Sequence, residues 1–199
     1  MLTVTEGTVI HGKIKVQLRP KIERGPLAGV NGLVMHQSGG SDAAGALAAY
    51  KNGGNGAHFL IDKDGAIYQT ARVNQRTFHV GNIQSRCHNI DSCSGEEANE
   101  IKTILKGKGT YSQKVKRISD REKTKAYPDR YPTNADSLGI EVVGKLVDKS
   151  YEKPTAEQDA SVKWLVAELL AFYKLTTADV YRHPQVSYKH PTEAKNVTW

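Results

Sequence analysis

The stretch Gly32-Leu33-Val34-Met35-His36-Gln37-Ser38-Gly39-Gly40 decides how the chain is read. A short apolar run ends in a histidine and passes at once into a Gly/Ser turn. That is the pattern of a buried strand delivering His36 to its end, beside a loop. Strand ends that open into loops are where a rigid sheet presents chemistry. The rest of the chain is therefore read for what meets His36.

Upstream, Lys13-Ile14-Lys15-Val16-Gln17-Leu18 alternates with period two, as a half-buried strand does. Pro20 ends it, and Gly25-Pro26 marks a turn. Downstream, Ser41-Asp42 caps a helix reaching about Lys51, whose alanines allow close packing on a sheet. The glycine-rich run 52–56 stops it. Ala57–Ile61 and Ala66–Gln69 read as paired strands across Asp62-Lys63-Asp64-Gly65, where Asp-Gly accepts a positive φ. Thr77–Gly81 is a short strand ending in glycine. Ser137–Gly144 is another buried strand carrying one carboxylate, Glu141. Thr155 and Gln158 form a capping-box pattern, and Val162, Leu165, Val166, Leu169, Phe172 and Tyr173 follow at helical spacing. Val180–Pro184 then leads into a C-terminal loop.

Strands and helices mix without strict alternation, which predicts a mixed α/β fold with a central mixed sheet flanked by helices. At 199 residues the chain is expected to form a single domain over 1–199. Within it, 1–30 is an N-terminal strand and extension, and the polar, basic segment 84–132 is an insertion.

The net charge of +7 is concentrated, because residues 101–130 carry ten Lys/Arg and three Asp/Glu. Such a segment is either a solvated face or a patch for an anionic partner such as nucleic acid, lipid headgroups or cell wall. No recognised nucleic-acid motif accompanies it, so no nucleic-acid partner is expected. Cys87 and Cys93 are open to a disulfide, to two free thiols or to a metal site, although their spacing fits no common zinc pattern. No run is long enough to span a membrane, and no basic and apolar leader opens the chain. Synthesis in the cytoplasm is expected, with any export by another route.

Two of the seven histidines, His36 and His183, each end an apolar segment beside a turn. Two neutral imidazoles, a third donor and one open position make a catalytic zinc site. For His36 alone, composition favours a hydrogen-bonded, half-buried structural histidine.

From about Leu33 to the C-terminus the chain resembles the zinc-dependent N-acetylmuramoyl-L-alanine amidases, a family that includes phage amidases and peptidoglycan recognition proteins. Five pieces in order carry the resemblance: Val34–Ser38, Gly56–Gly65, Phe78-His79-Val80-Gly81, Ser137–Glu141 and Arg182-His183-Pro184. Phe78 stands where the family has Trp. The resemblance implies zinc on His36 and His183, Glu141 as the catalytic carboxylate and Lys189 assisting the reaction. The family's third ligand is Asp or Cys; here Glu193 takes that place, with His190 as its rival. His79 either lines the substrate groove or is structural, His58 is structural, and His11 and His88 are surface residues.

Tyr131–Glu141 and His183–Ala194 are similar to amidases associated with type VI secretion. This implies action on peptidoglycan in the periplasm of a rival cell, an immunity protein or secretion component as partner, and a monomer. The alternatives are an inactive peptidoglycan-binding module, a cytosolic muropeptide-recycling amidase and a phage endolysin. A third donor after His183 separates the enzymes from the inactive module.

Overall fold

The computed structural model describes residues 2–199. A small hairpin of β1 (Thr3–Thr5) and β2 (Thr8–Ile10) comes first, then β3 (Ile14–Val16) and β4 (Glu23–Pro26). Next come β5 (Gly32–Gly39), α1 (Ala43–Lys51), β6 (Phe59–Ile61), β7 (Ile67–Gln69) and β8 (Gln75–Thr77). Three helices follow: α2 (Arg86–Asn89), α3 (Gly95–Lys106) and α4 (Tyr111–Glu122). Then come β9 (Ser137–Val147), β10 (Ser150–Tyr151), α5 (Ala156–Tyr173), β11 (Val180–Arg182) and the single-turn α6 (His183–Val186).

The main sheet runs β11-β5-β9-β6-β7-β3, with β10 paired to β9. β5 lies parallel to β11 and β9, and β9 is parallel to β6. Parallel strands are covered on both faces, which is why β5 and β9 read as near-continuous apolar runs. Side chains alternate between the faces. Leu33, Met35, Leu138, Ile140, Val142, Phe59 and Ile61 pack against Val162, Leu165, Val166 and Leu169 of α5 in one core. The opposite set, including His36 and Glu141, faces away from α5. There Leu60 and Val143 receive Ala43, Ala46 and Leu47 of α1, so the small side chains do bring that helix close to the sheet.

Register then places the chemistry. His36 pairs with Glu141, and Glu141 pairs with Leu60. A one-residue slip of β9 would turn the carboxylate into the α5 core. The β6–β7 turn holds Gly65 at φ +79°, where a Cβ would lie 2.8 Å from the Glu157 carbonyl oxygen. The turn can therefore lie against α5.

Two local expectations change. The strand expected over 77–81 ends at Thr77, because the His79 and Val80 N–H groups both donate to the Asn134 side-chain oxygen, at 2.9 and 2.8 Å, instead of to a strand. After Arg182 the chain forms α6 rather than a loop, with Pro184 accepted in its first turn.

The 84–132 segment folds into α2–α4 around Cys87, Ile101 and Ile118. Ser94/Glu97 and Thr110/Gln113 capping boxes start α3 and α4. Cys87 and Cys93 are joined by a disulfide. Part of the positive charge is compensated: Arg121 pairs with Glu97, Glu100 and Glu122, and Lys125 with Glu97 and Glu122. Among the described residues, no helix is long and apolar enough to cross a membrane.

Candidate metal centre and active site

β5 carries His36, β11 hands the chain to His183 at the start of α6, and a C-terminal turn brings Glu193 between them. All three are buried. His36 Nδ1 lies 2.9 Å from His183 Nδ1, His183 Nδ1 2.8 Å from Glu193 Oε1, and His36 Nδ1 3.5 Å from Glu193 Oε1. Donors around a tetrahedral zinc with bonds near 2.0–2.1 Å stand roughly 3.3 Å apart. The triangle is of that size.

The outer hydrogen bonds decide the tautomers. His183 Nε2–H donates to the Val80 carbonyl at 3.0 Å, leaving a lone pair on Nδ1. His79 Nε2 faces the Ser137 carbonyl at 3.4 Å and the Ser137 hydroxyl oxygen at 3.3 Å. That hydroxyl already donates to the Thr133 carbonyl at 2.6 Å. His79 Nε2 must therefore donate, so its Nδ1 accepts from His36 Nε2–H at 3.1 Å, and His36 Nδ1 also keeps a lone pair. Two imidazole lone pairs and a carboxylate oxygen converge with no proton to share. A cation is what such a donor set fits.

The electrostatics agree. Burial, then the neighbouring His183, lowers His36 to about 4 against the opposing pull of Glu193. Burial alone would raise Glu193, but the His183 and His36 rings that face its carboxylate bring it to about 2. At neutral pH the imidazole of His36 is neutral and the carboxylate charged, the forms that bind a metal.

Glu141 stands beside this triangle, half-buried on β9. Burial raises its carboxyl above the ordinary value, while a hydrogen bond from the Tyr50 hydroxyl acts in the opposite direction. Tyr50 comes from the last turn of α1, and its hydroxyl oxygen accepts from the Ala57 N–H at 3.3 Å. A cleft of about 190 Å³ contains His36, Tyr50, Phe78, His79, Glu141, His183, Lys189 and Glu193 among its lining residues. Lys189 is exposed at its rim.

All six residues singled out from the sequence thus meet in one cleft. His79 does line it, but its ring is also committed to His36 and Ser137. Gly139 makes room for it, since a Cβ there would lie 2.8 Å from His79 Nδ1. His190 stays outside the triangle, its Nδ1 accepting from the Thr192 hydroxyl at 2.9 Å. His58 is satisfied within the sheet, accepting from Gly139 N–H at 3.0 Å and donating to the Gln75 carbonyl at 2.8 Å.

Three contributors escaped the sequence reading: Tyr50, Gln37 and Arg182. Gln37 follows His36, and its side-chain oxygen accepts from Ala194 N–H at 2.9 Å. Arg182 precedes His183 and donates to the carbonyls of Ala194 and Val197, each at 3.0 Å. Adjacency to the histidines was the one available signal for Gln37 and Arg182.

A family model described as N-acetylmuramoyl-L-alanine amidase matches residues 26–196. Among solved structures, the catalytic domain of XlyA is similar, with a TM-score of 0.54 at 19% identity over 88% of this chain and 87% of that one. AmpDH3 from Pseudomonas aeruginosa, in complex with anhydromuramic pentapeptide, gives 0.51 at 19% identity over 79% of this chain and 51% of that one. A selenomethionine derivative of AmpD gives 0.50 at 17% identity over 92% and 87%. At these identities the likeness is one of fold. No curated protein matches the chain by sequence.

Proposed function

The chain belongs to the N-acetylmuramoyl-L-alanine amidase family, and from that membership we propose that it is a zinc-dependent hydrolase of the amide joining N-acetylmuramic acid to L-alanine in peptidoglycan. The observation that carries this reading is the meeting of two imidazole lone pairs and the Glu193 carboxylate, with Glu141 on the adjacent strand facing the same cleft. An inactive binding module lacks a complete donor set, and this chain has one.

His36, His183 and Glu193 would hold the zinc, which when bound supplies Lewis acidity toward a carbonyl and lowers the pKa of water to roughly 7. Glu141 takes the proton from the attacking water. Burial makes it a stronger base than a solvated carboxylate, and Tyr50 keeps it aimed and ionised. Lys189 donates to the substrate carbonyl oxygen as negative charge gathers there. As the C–N bond breaks, Glu141 passes its proton to the departing L-alanine nitrogen. Water is consumed, and the products are a muramoyl carboxylate and a peptide with a free amino terminus. A bound stem peptide, as in the AmpDH3 complex, is the ligand this cleft would take.

The assay is release of L-alanine amino termini from purified sacculi by the zinc-loaded protein. Glu141→Gln is expected to lower the rate by at least about 100-fold with the fold retained. Full activity in that variant would remove Glu141 from the mechanism, and no release by the wild type would remove the amidase. The Cys87–Cys93 bond favours work in an oxidising space such as the periplasm of a target cell, where an immunity protein would be the natural antagonist. Directed to the periplasm of a test bacterium, the protein should lyse it, and in the cytoplasm it should not. No lysis from either compartment, with turnover of soluble muropeptides retained, would favour muropeptide recycling.

A further inference from the structure

We propose that the turn between α3 and α4, continued by Tyr188, is a second binding surface for polymeric peptidoglycan, and that it makes intact wall a better substrate than soluble fragments. This rests on the amidase reading above.

Residues 101–119 hold six Lys/Arg and no Asp/Glu. The carboxylates that compensate the segment lie elsewhere: Glu97, Glu100 and Glu122 are spent on Arg121 and Lys125. Lys116 pairs with Asp120. Among the described residues, Lys106, Lys108, Lys114 and Arg117 have no carboxylate partner. Lys114 donates to the Leu105 carbonyl at 2.8 Å and Arg117 to the Lys108 carbonyl, so both close off the end of α3. Those bonds order the turn without neutralising it, and its positive charge stays in solvent.

Tyr111 opens α4 with 69% of its surface exposed, a poor place for an aromatic ring that only packs. Its sole ring partner among the described residues is Tyr188, edge to face at 6.1 Å and 89°. Tyr188 precedes Lys189, which lines the catalytic cleft. Lys189 at the cleft, its neighbour Tyr188, the ring partner Tyr111 and the lysines that shortly precede Tyr111 in the chain thus mark out the proposed path from cleft to turn. Exposed aromatic faces suit the apolar faces of sugar rings, and unpaired lysines suit carboxylates. Peptidoglycan repeats both along its length. A single muropeptide fills the cleft and leaves the path empty. A nucleic acid would satisfy the lysines, but nothing in it would account for the path ending at an amidase cleft.

Tyr111→Ala and Lys106→Gln/Lys108→Gln, both zinc-loaded, are compared with wild type on purified sacculi and on a soluble N-acetylmuramoyl peptide. Co-sedimentation with sacculi is measured alongside turnover. The expected result is about a tenfold loss of sacculus binding and turnover in each variant, relieved of its difference from wild type by high salt in the lysine variant. Turnover of the soluble substrate stays within about twofold, which also reports an intact fold. Equal losses on both substrates, or none on sacculi, would overturn the surface while leaving the amidase in place. Wild-type protein inactive on both substrates would overturn the amidase reading and this inference with it. Tighter binding to duplex DNA than to sacculi at equal ionic strength would overturn the surface in favour of a nucleic-acid site.

Discussion

Glu141 keeps its position through a hydrogen bond from another element, the Tyr50 hydroxyl at the end of α1. Burial acts first on Glu141 and raises it; Glu193 raises it further; Tyr50 and His183 lower it. As the proposed general base Glu141 must be ionised, so activity is expected to fall as pH drops through this raised value. Tyr50 itself is pushed far up by burial and by Glu141, and it remains a donor across the working range. Tyr50→Phe removes a lowering influence, so the acid limb of the kcat/KM profile should move to higher pH. An unmoved limb would show that the hydroxyl does not act on Glu141. Nothing around Tyr50 in the sequence distinguishes it from a core tyrosine, since its partner lies 91 residues away.

Among elements, the C-terminal turn is the piece with the least structure of its own and the greatest need for position. Ala194 sits at φ +54°, an uncommon value for a side-chain-bearing residue, and is fully buried. β5 and β11 supply the restraint. Gln37 accepts from Ala194 N–H and donates to the Glu152 carbonyl at 2.9 Å. Arg182 holds two carbonyls of the turn and lies over the Trp199 ring at 4.5 Å. The residues flanking the two histidines thus present Glu193, the proposed third ligand. Gln37→Leu should weaken zinc binding by about 10- to 100-fold in competition with a chelator. Unchanged affinity would mean the turn holds Glu193 unaided. α4 shows how an element hides from sequence: its buried face is Val115, Ile118, Ser119 and Glu122, and two polar members conceal the helical stripe. Without the stripe, its Thr110/Gln113 capping box went unread as well.

At the scale of the whole molecule, the candidate metal site joins histidines 147 residues apart in the chain. A ligand bound by the folded state alone stabilises it, by about 2.7 kcal/mol at a hundredfold excess over Kd. For a chain of this length that raises Tm by roughly 5–11 °C. Melting with zinc and then with excess chelator should show this difference, and identical curves would argue against a shared ion. The sequence by itself determined the α/β architecture, because the apolar runs of β5 and β9 and the stripe of α5 follow from local periodicity. It also offered the candidate donors, because His36, Glu141, His183 and Glu193 follow one another in a recognisable order, although His36 and Glu141 lie within β5 and β9 and not at their ends. Tertiary structure alone brought Glu193, and not His190, beside the two histidines, gave His79 its place behind His36, and recruited Tyr50, Gln37 and Arg182. Those outcomes depend on which side chains meet across the sheet, and distance in space is not written in spacing along the chain.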